Sequence, residues 1–259
     1  MKEHPVIFNG EMVRAILDGR KTQTRRVMKV QPSEHFHPMN MALELDYSAR
    51  WYTPGVVDKD GYLQPAKNQI FGVAGEDEGY ACPFGAVGER LWVRETFADV
   101  NTDGGPAFTY RADHGLKFCL DDESPVEYDR YPGKNFAMWC SDLWNGEDGH
   151  SWSPSIHMPR WASRILLEIT AVRVERLNDI SESDAKAEGV RAIENNFGNG
   201  PAYCDYLLPN LDDAAEWYNR ASDSFKSLWK SIYGEESWRA NPWVWVIEFR
   251  RVGGSDASK

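Results

Sequence analysis

The segment GRKTQTRR, Gly19–Arg26, gathers Arg20, Lys21, Arg25 and Arg26 around the hydroxyls of Thr22 and Thr24. A threonine hydroxyl is a weak nucleophile until a base takes its proton. A lysine can be that base when burial or nearby cations depress its pKa. A carboxylate can then hold the amine in place. A plainer role is equally open. Cations at a helix C-terminus interact favourably with the helix dipole, and the rest would be a solvated face. The chemical reading sets a condition on the backbone. On a regular strand residues three apart point to opposite faces, so Lys21 and Thr24 can cooperate only if the chain turns after Gly19.

The preceding residues supply that turn. PVIF (5–8) reads as a short strand. GEMVRAILDG reads as a short helix, with Met12, Ala15 and Ile16 at helical spacing and Gly19 where a C-cap glycine belongs. In CPFGAVGERLWVRETF (82–97) a turn leads into a strand. Leu91, Val93 and Phe97 share one face with Glu95, while Trp92, Arg94 and Thr96 share the other. A long strand follows from about Arg164 to Arg176. Ser181 to Asp184 then resembles a capping box, with Asp in place of Glu, opening a short helix that stops at Gly189. Glu188 falls in its last turn. Residues 190–210 read as loop. Asp212 or Asp213 can cap a helix running to Tyr233, with Trp217, Ala221, Phe225, Leu228, Trp229 and Ile232 as its apolar stripe and Gly234 as its end. In the closing strand NPWVWVIEFRRV the outer residues Trp243, Trp245, Ile247 and Phe249 alternate with Val244, Val246 and Glu248.

The basic cluster stands out because the chain is acidic. It carries 29 Lys and Arg against 40 Asp and Glu, a net charge of −11 and a pI near 5.1. Such a balance argues against a duplex-DNA or RNA coat, which needs a broad basic face. It leaves room for a small basic pocket that takes one nucleoside. The 259 residues, 42% of them hydrophobic, are enough for a sizeable core without staples. MKEHPVIFNG contains no apolar signal region and no run of 18 apolar residues occurs, so a cytoplasmic protein that does not span a membrane is expected. The four cysteines, without any C-x-x-C, are then expected to be reduced thiols. His35 and His37 have a spacing that could bind metal on a strand. Without a companion motif they read better as loop histidines, and no metal or other cofactor is expected.

GRKTQTRR also resembles the G-x-K-x-x-x-x-R signature of the ASCH superfamily, with Gly19, Lys21 and Arg26 in the signature positions. GERLWVRETF, RILLEITAVRVERLNDISESDAKAEGV and WVWVIEFRRV resemble later segments of the family, in the family's order. The likeness covers roughly 5–30, 82–98, 160–192 and 225–252, and is nearest to the longer ASCH proteins encoded in phages and prophages. It implies an α+β, PUA-like fold, a mixed β-barrel with flanking helices. The domain would span 1–252, with insertions at about 31–80 and 98–155 and a frayed tail at 253–259.

Bacterial ASCH enzymes that deacylate N4-acetylcytidine use a lysine and a threonine in a G-R-K-T-x-T segment and a glutamate in the short helix after the long strand. By resemblance these are Lys21, Thr24 and Glu188. This chain is more than twice as long as those enzymes, so its insertions would reshape or cover the pocket. The resemblance therefore implies an amidohydrolase acting on an N4-acylated cytidine or a similar modified nucleoside. The alternatives are a module that binds RNA or a modified base without turnover, and a ribonuclease. The partner would be a modified nucleoside or a single exposed RNA base.

Arg25 and Arg26 would form the floor of that pocket. Trp92 and Arg94, on one strand face, could border it, and Trp161 could join them. A stacked base gains about 1–3 kcal/mol from such an aromatic, although the tryptophans could equally fill the barrel. Glu95 could accept from a cytosine amino group or pair with Arg25 or Arg26. His157 reads as a loop anchor. The insertion at 98–150 carries too many aromatics to stay solvated, and is expected to pack on the barrel and narrow access to the pocket.

Overall fold

The computed structural model describes residues 1–34, 36, 55–65, 69–72, 79–119, 131, 133–146, 151–193, 200–208 and 217–253. Asp212, Asp213, His35 and His37 lie outside these residues, as does all of the tail after Gly253. In chain order the elements are β1 (Glu3–Ile7), α1 (Gly10–Leu17), β2 (Gln23–Val27), β3 (Gly55–Val57), β4 (Leu63–Pro65), β5 (Phe71–Gly72), β6 (Gly79–Tyr80), β7 (Arg90–Arg94), β8 (Phe97–Thr102), β9 (Gly105–Tyr110) and β10 (Leu116–Phe118). They continue with α2 (Cys140–Asn145), β11 (Leu166–Arg176), α3 (Glu182–Ala187), β12 (Ala192–Ile193), β13 (Ala202–Cys204), β14 (Trp217–Tyr218), α4 (Ala221–Tyr233), α5 (Glu235–Arg239) and β15 (Trp243–Val252).

The architecture is mixed α+β, built on a five-stranded sheet in the order β1-β7-β11-β15-β2. Both ends of the chain meet in it. β1 runs parallel to β7, and the other pairings are antiparallel. The expected barrel is corrected here: among the described residues the sheet does not close. β1 and β2 are its two edges, linked in sequence by α1. The edges are tied by a side chain instead of a ladder, since Arg26 Nη2 donates to the Ile7 carbonyl at 2.6 Å.

α1 forms because Asn9 accepts from the Met12 N–H at 2.8 Å and because Val13, Ala15 and Ile16 are buried against the sheet. Gly19 takes φ +75 just past its end, a conformation that costs glycine nothing. The chain turns there, and the Lys21 N–H donates back to the Ala15 carbonyl at 2.9 Å.

β15 is buried on both faces. Trp243, Trp245, Ile247 and Phe249, read as outer residues from the sequence, pack into the main core with Phe8, Leu91, Val93 and Ile169. Val244 and Val246 pack beneath α4 with Phe225, Leu228 and Trp229. Phe36 and Phe71, from the segment read as a first insertion, also belong to the main core; Phe36 meets Trp243 edge-on at 5.3 Å.

Three other boundaries differ from the sequence reading. The strand expected to run through Phe97 breaks after Arg94, because Glu95 turns to Arg164 and Phe97 opens a separate sheet, β10-β9-β8. That sheet shows the second insertion to be ordered where described, with its own core of Phe97, Phe108, Tyr110, Phe136 and Met158. The stretch after Gly189, read as loop, contributes β12 and β13 to a small sheet with β14. Trp217 lies in β14, not in the helical stripe, and α4 begins at Ala221. No described helix is long and apolar enough to cross a membrane.

The start of α4 is capped from another helix. Glu182 accepts from the Ala221 N–H at 2.9 Å, the Ser222 N–H at 3.2 Å and the Ser222 hydroxyl. Burial opposes ionisation of Glu182, but the Ser222, Ala221 and Arg220 donors together outweigh it and hold the carboxyl down to about 2. Glu182→Ala should therefore destabilise the protein by about 1 kcal/mol at neutral pH, as loss of a helix cap does. A carboxyl depressed on folding stabilises above its unfolded pKa of about 4.3, and this contribution fades as pH falls toward its folded value. Urea unfolding of both proteins at pH 7 and near pH 2 should show the difference closing at the acid end.

Candidate active site

The site forms where the turn after α1 meets the end of α3. Ser181 caps α3 by accepting from the Asp184 N–H at 3.1 Å, and Glu188 closes the helix. Lys21 and Glu188 form an isolated antiparallel bridge, with the Thr22 N–H donating to the Ala187 carbonyl at 2.8 Å. Arg20 Nη1 reaches the Gly189 carbonyl at 2.7 Å. Gly189 makes this approach possible. It sits at φ +87, and a Cβ there would lie 2.7 Å from the Lys21 Cβ and 2.9 Å from the Ala15 Cβ.

Lys21, Arg25 and Glu188 are each at most 3% exposed. Lys21 Nζ donates to Glu188 Oε2 at 2.7 Å and to the Glu188 carbonyl at 2.9 Å. Arg25 Nη1 donates to the other carboxylate oxygen, Oε1, at 3.2 Å. One buried carboxylate thus faces two buried cations. Burial lowers the Lys21 pKa; Glu188 opposes the shift, Arg26 and Arg25 add to it, and the net displacement is downward. A neutral amine at neutral pH is the state a general base needs.

Arg25 extends the network outward. Its Nη2 donates to Glu175 at 2.9 Å and Asp184 at 3.2 Å, and the guanidinium carbon lies 5.8 Å from the Phe225 ring centre. Arg173 binds the same two carboxylates, and Glu248 on β15. Burial raises the Asp184 carboxyl, but Arg173 and Arg25 more than reverse this, leaving it below its ordinary range.

Thr24 is buried on β2 opposite Ile247. With Arg25, Glu188 and Met12 it lines a cavity of about 10 Å³ roofed by Phe225, Leu228, Trp229, Ile232 and Tyr233 of α4. That is room for about one water molecule. No hydrogen bond joins the Lys21 amine to the Thr24 hydroxyl; the amine is turned to Glu188. Among the described residues of the insertion at 98–150 none lines this cavity, which is covered by α4.

The other expected site residues have different placements. Arg25 is at the site, but its guanidinium is occupied by three carboxylates and is not free to floor a pocket. Arg26 lies over Phe8, 5.2 Å from the ring centre, and ties β2 to β1. Trp92 and Arg94 stack on each other at 5.5 Å. They sit on the sheet face opposite Leu91 and Val93, and among the described residues they make no hydrogen bond or ring contact with Lys21, Thr24 or Glu188. Glu95 is buried and paired not with Arg25 or Arg26 but with Arg164, through bonds of 2.9 and 3.0 Å. Burial raises its carboxyl and Arg164 draws it back part of the way. Trp161 packs between Phe108 and Tyr131 in the insertion core. The His157 ring is exposed in a short turn. No group of three or more His, Cys, Asp or Glu able to hold a metal occurs among the described residues.

Arg173, Glu175 and Asp184 escaped the sequence reading. The signal was available: Arg173 and Glu175 alternate with buried Val172 and Val174 along β11, which puts two charges on a face that must meet partners.

Gly189→Ala should lower stability by at least about 1–2 kcal/mol from the positive φ alone, with the contact against Lys21 added. Chemical denaturation measures this, and a Gly→Ala control at half-buried Gly10, which has φ outside the left-handed region and where an added Cβ meets only ordinary contacts from 3.7 Å, should lose far less. Searches of protein-family models, of curated proteins and of solved structures found no match to this chain.

Proposed function

We propose that this protein is an amidohydrolase of the ASCH type, with a PUA-like core, acting on an N4-acylated cytidine or a similar modified nucleoside. The observation that carries the reading is the fully buried lysine with a depressed pKa, held by a buried glutamate beside a buried threonine. In the reaction the Thr24 hydroxyl passes its proton to the neutral Lys21 amine and its oxygen bonds to the acyl carbon. The C–N bond then breaks, and the Lys21 ammonium returns the proton to the departing N4 nitrogen. Water hydrolyses the threonine ester, releasing the acid. Glu188 orients the amine throughout.

Two movements are required. Hydrogen bonds between catalytic groups are often long without substrate, and Thr24 has to come within about 3 Å of Nζ. Ligand pockets hold roughly 300–1,000 Å³, so α4 has to move outward to admit a nucleoside.

The absence of a Lys21–Thr24 hydrogen bond favours one second reading, a module that binds a modified base without turnover. A hydrolysis screen of N4-acylated cytidines separates the two. The enzyme reading expects turnover that falls at least about 10²-fold in Thr24→Ala and in Lys21→Ala. It also expects the rate to rise with pH through a midpoint well below the usual lysine value of about 10.4. Saturable nucleoside binding with no product in the wild type would leave the binding module standing.

A further inference from the structure

Arg25 has no assigned part in the reaction, yet its guanidinium is as buried as the catalytic lysine and touches the same carboxylate. Its geometry is specific. Nη1 takes Glu188 Oε1, while Nη2 spans Glu175 and Asp184. Nε is buried with no hydrogen-bond partner. The fork is therefore anchored at its outer end by two carboxylates only about a quarter exposed, and presents its inner end to Glu188.

Consider Glu188 with Lys21 as its only cation. Loss of the lysine proton would leave a bare carboxylate in a dry site, a state that costs far more than the charged pair. The lysine would stay protonated and could not act as a base. A permanently charged guanidinium on the other oxygen removes that obstacle, because arginine does not give up its proton in a protein. We propose that Arg25 is a positioning residue of this site: it is the standing counter-ion of Glu188, and so frees Lys21 to accept a proton. The inference rests on the proposed hydrolase reading for its catalytic meaning, but not for its test.

The groups facing Lys21 are few. From β2 they are Arg25 and Arg26, and from the end of α3 Glu188, with Asp184 and Glu175 behind Arg25. On α1, Glu11 and Arg14 bond to each other. α4 offers Phe225, Trp229 and the Tyr233 phenol to the cleft. Among the described residues Arg25 is the cation that shares the Glu188 carboxylate with Lys21.

The test follows the Lys21 side chain by NMR, through the Cε shift of labelled lysine assigned with Lys21→Ala, in wild type and in Arg25→Met. Removing the guanidinium should raise the Lys21 midpoint by about one pH unit or more. Arg25→Lys, which restores a cation without the fork, should recover part of the shift. If hydrolysis is found, the rising limb of the pH–rate profile should move by the same amount, which a merely structural loss would not produce. An unchanged Lys21 midpoint in folded Arg25→Met overturns the proposal. Should Arg25→Met fail to fold, Glu175→Gln decides it: freeing one arm of the guanidinium for Glu188 should lower the Lys21 midpoint, and a constant or raised midpoint overturns it. The NMR reading needs no substrate, so a protein without turnover would sink the hydrolase reading while leaving this result interpretable.

Discussion

One buried carboxylate between two buried cations constrains the rest of this structure. Taking an ion out of water costs several kcal/mol even after the protein relaxes, and good geometry must offset it. Glu188 meets that demand with both oxygens occupied, one by Lys21 and one by Arg25. The cluster is not sealed. Arg25 passes charge to Glu175 and Asp184, then through Arg173 to Glu248, whose side chain is 42% exposed. The charges become progressively more hydrated along this path, so the desolvation cost is concentrated in three side chains. The member whose loss is least tolerated is Glu188, because the buried Lys21 has no other carboxylate within hydrogen-bond distance among the described residues.

α3 holds the triad and the cover together. Its few residues do four jobs. Ser181 starts the helix, Glu182 caps α4, Asp184 holds Arg25 and Arg173, and Glu188 at its end holds Lys21. The helix that presents the carboxylate therefore also fixes the first turn of the helix that roofs the cleft. The roof is apolar on its inner side, which forces β15 to be apolar on both faces: Val244 and Val246 meet α4 while Trp245 and Ile247 meet the main core. Movement of α4 away from the cleft is resisted at its capped start. Its other end is tied to α5, through Lys230 to Glu235 at 2.6 Å and the Trp229 indole N–H donating to the Ser237 hydroxyl at 3.1 Å.

The pairing of Lys21 with Glu188 was expected from the resemblance, and local punctuation at both ends fits it. Gly19 and Gly189 each mark a positive-φ turn just after a short helix, and those turns bring the two segments together. The open sheet was not legible. An edge strand and a barrel strand have the same alternation, and only the pairing partner distinguishes them. Glu95 shows a second limit. Its place in the alternation Leu91, Val93, Glu95, Phe97 continues a strand, but the strand ends because Arg164, far away in sequence, takes the carboxylate. Trp217 fits a helical stripe by spacing alone, and it is the partner Cys204 that makes it a strand residue. Such outcomes depend on tertiary contacts that no local window contains.

The second insertion is attached by Arg164, which binds Glu95 on one side and Asp113 on the other and lies 4.0 Å from the Tyr110 ring centre. Phe97, Phe108, Tyr110, Tyr131, Phe136 and Trp161 pack into a core of their own, whereas Phe118, Trp139 and Trp144 are exposed. On the proposed reading, a ligand at this site would meet the face of α4, from Phe225 to Tyr233, together with Met12. Those side chains offer shape and apolar contact but few hydrogen bonds. An apolar wall separates ligands differing by a methylene by only about 1–3 kcal/mol, whereas buried polar partners separate them far more strongly. The strong polar groups here, Lys21, Arg25 and Glu188, are already engaged with one another. On the proposed reading, the site would control a proton more tightly than it reads the outline of a ligand.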